Sequence, residues 1–89
     1  MRDEIKNGGI IMKSNIMVII VENRDSKAPD VQEVLTKFGS IINARLGLHE
    51  NEFNEGKIIL DLEDDQEQIK ELSKELNGIT GIRVGYMSV

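Results

Sequence analysis

Apolar and polar positions along the chain change their period several times, and each change marks an element. Residues 16–21 are apolar without interruption and rich in β-branched side chains, which predicts a strand buried on both faces. The polar turn Glu22-Asn23-Arg24-Asp25-Ser26 follows. Ser26 stands as a helix cap with Pro29 inside the first turn. Val31, Val34, Leu35 and Phe38 then recur at helical spacing, and Gly39 fits the left-handed residue that ends a helix. Ile42, Ala44, Leu46 and Leu48 alternate with Ile41, Asn43, Arg45 and Gly47, the period of a second strand. A charged loop leads to residues 57–63, where Ile58, Leu60 and Leu62 share one side of a third strand. Asp64 with Glu67 reads as a capping box for a second helix with the stripe Ile69, Leu72, Leu76, closed by Asn77-Gly78. Gly81 opens a last strand in which Ile82, Val84 and Tyr86 share a face.

The order strand, helix, strand, strand, helix, strand, joined by right-handed crossovers, gives an α+β domain of the ferredoxin-like kind. Its four-stranded antiparallel sheet runs in the order 4-1-3-2, with both helices on one face. The other face is left open. The first strand is apolar on both sides, and Ile41, Ile59, Met87 and Val89 each alternate out of phase with the inward set of their strand. Monomers rarely expose a contiguous apolar patch beyond a few hundred Å², so these four residues are expected to meet a second copy, as a homodimer or homotetramer. Residues 1–14 lack a clean period and contain the turn signal Asn7-Gly8-Gly9. They are read as an N-terminal arm, with Met12 an alternative start, and residues 15–89 as the domain.

Composition narrows the function. Eighty-nine residues make one domain with a thin core. The chain has no cysteine, which removes disulfides and thiolate metal sites. A net charge of −5 disfavours nucleic acid and anionic lipid as direct partners. The apolar runs are far too short to span a bilayer and no leader pattern is present, so a cytoplasmic location is expected. No nucleophile–base pair or phosphate loop can be assembled, no cofactor is implied, and the chain is not expected to be an enzyme. His49, the single histidine, is a weak metal candidate that Glu50 or Glu52 can assist. Two arginines stand out. Arg24 lies where the first strand feeds a helix N-terminus, a natural anion pocket. Arg45 is expected on the outward face of the second strand, where it calls for a ligand carboxylate or a salt bridge to Glu22 or Asp61.

Several stretches carry a family resemblance: Ile19-Ile20-Val21-Glu22-Asn23-Arg24, Val34-Leu35-Thr36-Lys37-Phe38-Gly39, Ala44-Arg45-Leu46-Gly47, Leu72-Ser73-Lys74-Glu75-Leu76-Asn77 and Gly81-Ile82-Arg83-Val84. Their order and spacing over residues 15–89 resemble the iron-only hydrogenase system regulators. These are small ACT-like domains akin to the C-terminal domain of the nickel-responsive repressor. The resemblance implies a regulatory role and a dimeric or higher assembly. It also implies an amino acid or small carboxylate bound at a subunit interface near Asn23, Arg24, Asp25 and Ser26. A module that binds a partner protein without a small ligand, and a metal-responsive sensor using His49, are the alternatives.

Overall fold

The computed structural model describes residues 13–50 and 54–89. Residues 1–12, with Met12 and most of the arm, and residues 51–53, with Glu52, lie outside the described residues. The elements are β1 (Asn15–Val21), α1 (Arg24–Lys37), a 3₁₀ turn (Gly39–Ile41), β2 (Ile42–Glu50), β3 (Glu55–Leu62), α2 (Gln66–Asn77) and β4 (Ile82–Ser88). The sheet runs β2-β3-β1-β4 with every pair antiparallel, the expected order read from the other edge. Ser14 and Val89 extend the β1–β4 ladder by exchanging two backbone hydrogen bonds.

β1 lies in the middle because it alone is apolar on both sides. Met17, Ile19 and Val21 point to the helices and are buried, while Ile16, Val18 and Ile20 point to the other face and are half-covered by their neighbours. Leu60 and Leu62 of β3, Val31, Leu35 and Phe38 at the α1 end, and Ile69, Leu72 and Leu76 of α2 complete one core. Each such side chain removed from water contributes roughly 1.5–3 kcal/mol.

Several local expectations are corrected. Ser26 is not the cap of α1: the helix begins two residues earlier, at Arg24, behind Asn23 in the left-handed region at φ 57°. The Asn23 carbonyl accepts from the backbone N–H groups of Ser26 and Lys27 and from the Ser26 hydroxyl. Pro29 therefore lies in the second turn, where it has no N–H for the Asp25 carbonyl. Gly39 does not end α1 in a left-handed residue; it opens a 3₁₀ turn that carries Ile41 into the core, 2% exposed. Ile41 is thus no part of the open face. The cap of α2 is Asp65, one residue after Asp64: its carboxylate accepts from the Gln68 backbone N–H at 3.1 Å and from the Gln68 side chain at 3.0 Å. Aspartates stand at both positions with an acid or amide three residues on, so the pattern alone does not choose between them.

The largest correction lies in β2. A register shift between Ile42 and Ala44 inserts Asn43 as an extra residue against β3. Ile42 still faces the core, but beyond the bulge the alternation is inverted. Ala44, Leu46 and Leu48 pair with Asp61, Ile59 and Lys57 on the open face, while Arg45, Gly47 and His49 pair with Leu60, Ile58 and Gly56 on the helix side.

Gly81 leads into β4 at φ +87°, and its carbonyl accepts from the Glu22 N–H at 2.9 Å. A Cβ there meets no atom closer than 3.6 Å, so backbone conformation is the obstacle to a side chain. Gly81→Ala is expected to cost about 1–2 kcal/mol, read as a fall in melting temperature of about 4–16 °C for a domain of this size. Gly85→Ala, with open space around its Cβ and φ outside the left-handed region, is the control.

Candidate functional site

The inverted half of β2 builds a pocket. β2 is an edge strand, so side chains on its helix side look into the space beside the first half of α1. Val21, Ala28, Val31, Gly56 and Ile58 form an apolar floor, and Gln32, Arg45 and His49 stand at the rim. The cavity holds about 120 Å³, room for a few heavy atoms. Gly47 keeps it open: a Cβ at that position meets nothing within 4 Å, and the backbone there does not require glycine. Glycine inside a strand otherwise weakens it, and such a position often marks a close approach by another molecule.

Arg45 supplies the charge. Its guanidinium donates to the Gln32 side-chain carbonyl of α1, which uses one of the five N–H donors of an arginine that lines the pocket. Among the described residues it has no carboxylate within ion-pair distance. The two acids that the sequence offers it are placed elsewhere. Glu22 pairs with Arg83 at 3.3 Å, as does Glu55 at 3.2 Å, and Asp61 lies on the open face opposite Ala44. Arg45 is therefore on the helix side, not the outward side, because of the bulge. An arginine fork over an apolar floor, with an imidazole four residues along the same strand face, suits a small carboxylate carrying a short apolar group.

The other expected ligand residues are not brought to this pocket. Asn23, Asp25 and Ser26 sit in the exposed turn at the start of α1, away from its lining. Arg24 is the first residue of α1, and its side chain lies outside the described residues, as does that of Glu50. Among the described residues no group of three or more His, Asp or Glu side chains could hold a metal ion. Sequence reasoning missed Gly47 and Gln32. The signal was Arg45-Leu46-Gly47-Leu48-His49, in which the polar and small positions alternate strictly; only the bulge shows which set faces the helices.

A second polar cluster closes the opposite end of the sheet. Asn15 is fully buried, with its side-chain carbonyl accepting from the Tyr86 hydroxyl and from Gln66 Nε2 at 3.2 Å. Its amide donates to Asp64 Oδ1 at 3.1 Å, and Gln66 also donates to Asp64 at 2.9 Å. Hydrogen bonds from Gln66 and then Asn15 hold the Asp64 carboxyl below the usual aspartate range; desolvation opposes them less strongly, and the charge of Lys13 adds the smallest lowering effect. This network ties the start of β1 and the end of β4 to the N-terminus of α2.

The comparisons with known proteins agree on the fold. A family model described as TM1266-like, iron-only hydrogenase system regulator, matches residues 13–85. The solved structure of TM1266 from Thermotoga maritima superposes with a TM-score of 0.81 at 35% identity, covering 86% of this chain and 98% of that one. The ACT domain of a GTP pyrophosphokinase from Chlorobium tepidum gives 0.67 at 14% identity, covering 86% and 89%. An ACT domain protein from Streptococcus pneumoniae gives 0.56 at 8% identity, covering 88% and 91%. No curated protein matches the sequence.

Proposed function

Because the chain belongs to the TM1266-like family of iron-only hydrogenase system regulators and has the ACT-like fold, we propose that this regulatory domain senses a small carboxylate or amino acid in the pocket between α1 and β2. The observation that carries the reading is Arg45. It is a cation held by Gln32 over an apolar cavity, with no carboxylate partner among the described residues. A guanidinium so placed gains charge-assisted, bidentate hydrogen bonds only when an anion arrives. His49 offers a donor or acceptor to a second polar group of the same ligand, and the floor of Val31 and Ile58 receives its apolar part.

The test is a thermal-shift screen with the common amino acids and with short-chain carboxylates such as propionate and isovalerate. A ligand at ten times its dissociation constant stabilises the folded state by about 1.4 kcal/mol, which is about 6–11 °C here. Arg45→Met is expected to abolish the shift while leaving the free protein's melting temperature within a few degrees, since Arg45 is exposed and makes no ion pair among the described residues. Gly47→Leu, which fills the cavity without altering charge, is expected to abolish it too. If no probe shifts the melting temperature, the reading fails and the protein-interaction alternative gains. That alternative rests on the exposed side chains of Leu46 and Met87, each 56% exposed. Stabilisation by nickel or zinc that survives Arg45→Met but not His49→Ala selects the metal-responsive alternative instead.

A further inference from the structure

The open face of the sheet reads as three rows across the four strands. The rows are Ala44, Asp61, Ile16, Met87; then Leu46, Ile59, Val18, Gly85; then Leu48, Lys57, Ile20, Arg83. Apolar side chains fill most of this grid, and Val89, 75% exposed, adjoins its first row. Only three positions carry charge. Arg83 is satisfied within the chain by Glu22 and Glu55. Lys57 and Asp61 have no ion partner among the described residues. They bear opposite charges on one strand, two positions either side of Ile59, so they cannot reach each other across the roughly 13 Å that separates them.

We propose that a second copy of this chain covers the face about a two-fold axis that crosses the strands at the Leu46–Ile59–Val18 row and places Lys57 of each copy against Asp61 of the other. A rotation about that line exchanges the outer rows and keeps each strand over its counterpart. Both unpaired charges then find partners at once, and Ile59 meets its own copy at the centre. Rotation about an axis parallel to the strands sets both charges on the partner's β1, over Ile16 and Ile20, where neither is compensated. Charge complementarity therefore selects the crossing axis. The aliphatic stem of Arg83 lies over the partner's Met87 in this arrangement. The proposal deepens the reading of the chain as a regulatory domain that assembles; Arg45 and His49 stay on the helix side, and the contact meets the pocket only at Leu48 and Lys57, which border both.

Four strands about 4.8 Å apart and three residue pairs long cover about 400 Å² in the plane of the sheet. A standard stable interface buries about 800 Å² on each partner. The pair is accordingly a weak dimer, with a dissociation constant on the order of micromolar. The full chain is to be followed by sedimentation equilibrium from about 5 to 500 μM, beside Lys57→Asp, Asp61→Lys and the chain carrying both changes. Each single reversal sets like charges together twice and is expected to weaken association at least about tenfold. The double reversal restores opposite pairs and is expected to return within about threefold of the parent. Circular dichroism confirms that each variant is folded.

Equal association of all four chains overturns the proposal, as does a double variant no better than the singles, or a parent that stays monomeric at the highest concentration. The carboxylate shift measured on the same samples separates the two readings. A monomer that keeps an Arg45-dependent shift sinks this pairing alone, and a pairing that follows the charges without any shift sinks the pocket alone.

Discussion

Leu60→Ala is expected to lower the unfolding free energy by about 3 kcal/mol, within the range that truncating a buried leucine spans. Leu60 is fully buried on β3, with Met17 of β1 on one side and Arg45 of β2 on the other. Hydrogen-bonded strands flank it on both sides, so the space left by the lost side chain cannot collapse readily, and the cavity adds to the lost transfer free energy. A domain of this length has about 4–13 kcal/mol in total. The loss is therefore a large share, and the melting temperature should fall by about 12–24 °C. Urea unfolding is expected to show a lower midpoint with an unchanged slope.

Leu46→Ala is the informative partner experiment. Leu46 has the same chemistry and stands diagonal to Leu60 across the β2–β3 pair, but it is 56% exposed on the open face. In dilute protein, where any dimer has dissociated, its truncation should cost about 0.5 kcal/mol or less. If Leu46→Ala is as damaging as Leu60→Ala, the bulge at Asn43 is wrong and β2 keeps the phase of its uninterrupted alternation.

That alternation shows where sequence reasoning reaches its limit. The six elements, their order and the central place of β1 are legible because they rest on local period. A run apolar on both sides can only be an inner strand, and a stripe at i, i+3, i+4 can only be a helix face. The side on which a strand segment points is not local. Ile42, Ala44, Leu46 and Leu48 form one continuous alternating set, yet Ile42 faces the helices and the other three face away, because β3 opposes Ala44 and Ile42 with adjacent residues, Asp61 and Leu62. An inserted residue is visible only against the partner strand. The consequence reaches the candidate site. Arg45 is legible as an arginine in need of an anion, but Gly47 and Gln32 become its neighbours only once the phase is inverted. Glu22 and Arg83 are likewise matched by the β1–β4 register and not by any spacing in the sequence. Ile41 leaves the open face because Gly39 opens a 3₁₀ turn, a choice that the signal "glycine after a helical stripe" does not distinguish from a left-handed cap.

Asn15→Asp is expected to be more damaging still at neutral pH, and to recover in acid. The substitution keeps the side chain's shape and exchanges the amide nitrogen for oxygen. Asn15 is fully buried, and its amide donates to Asp64 and to the Lys13 carbonyl while its carbonyl accepts from Tyr86 and Gln66. An aspartate there keeps the Tyr86 and Gln66 donors but turns a second carboxylate from a buried position toward Asp64, where the amide now donates at 3.1 Å. The loss at pH 7 should be about 3–5 kcal/mol, the usual cost of an uncompensated buried charge. Burial and the like charge both raise the folded-state pKa of the new group above its unfolded value of about 3.9. Its cost is therefore absent below that unfolded value, grows as pH rises through the folded-state pKa, and is constant above it.

Asp64 acts with the opposite sign. Its pKa is lowered in the folded parent by Gln66 and Asn15, so its contribution is present above the unfolded value and is lost as pH falls through the folded one. The gap between parent and variant should consequently close from both sides on acidification. Asn15→Ala removes the same hydrogen bonds, adds no titrating group, and is expected to cost about 1–3 kcal/mol with much weaker pH dependence. Denaturant midpoints of the three proteins between pH 3 and 8 decide the matter. A penalty for Asn15→Asp that is flat across that range, or that deepens in acid, would show that Asn15 is not buried against Asp64 at the junction between β1 and α2.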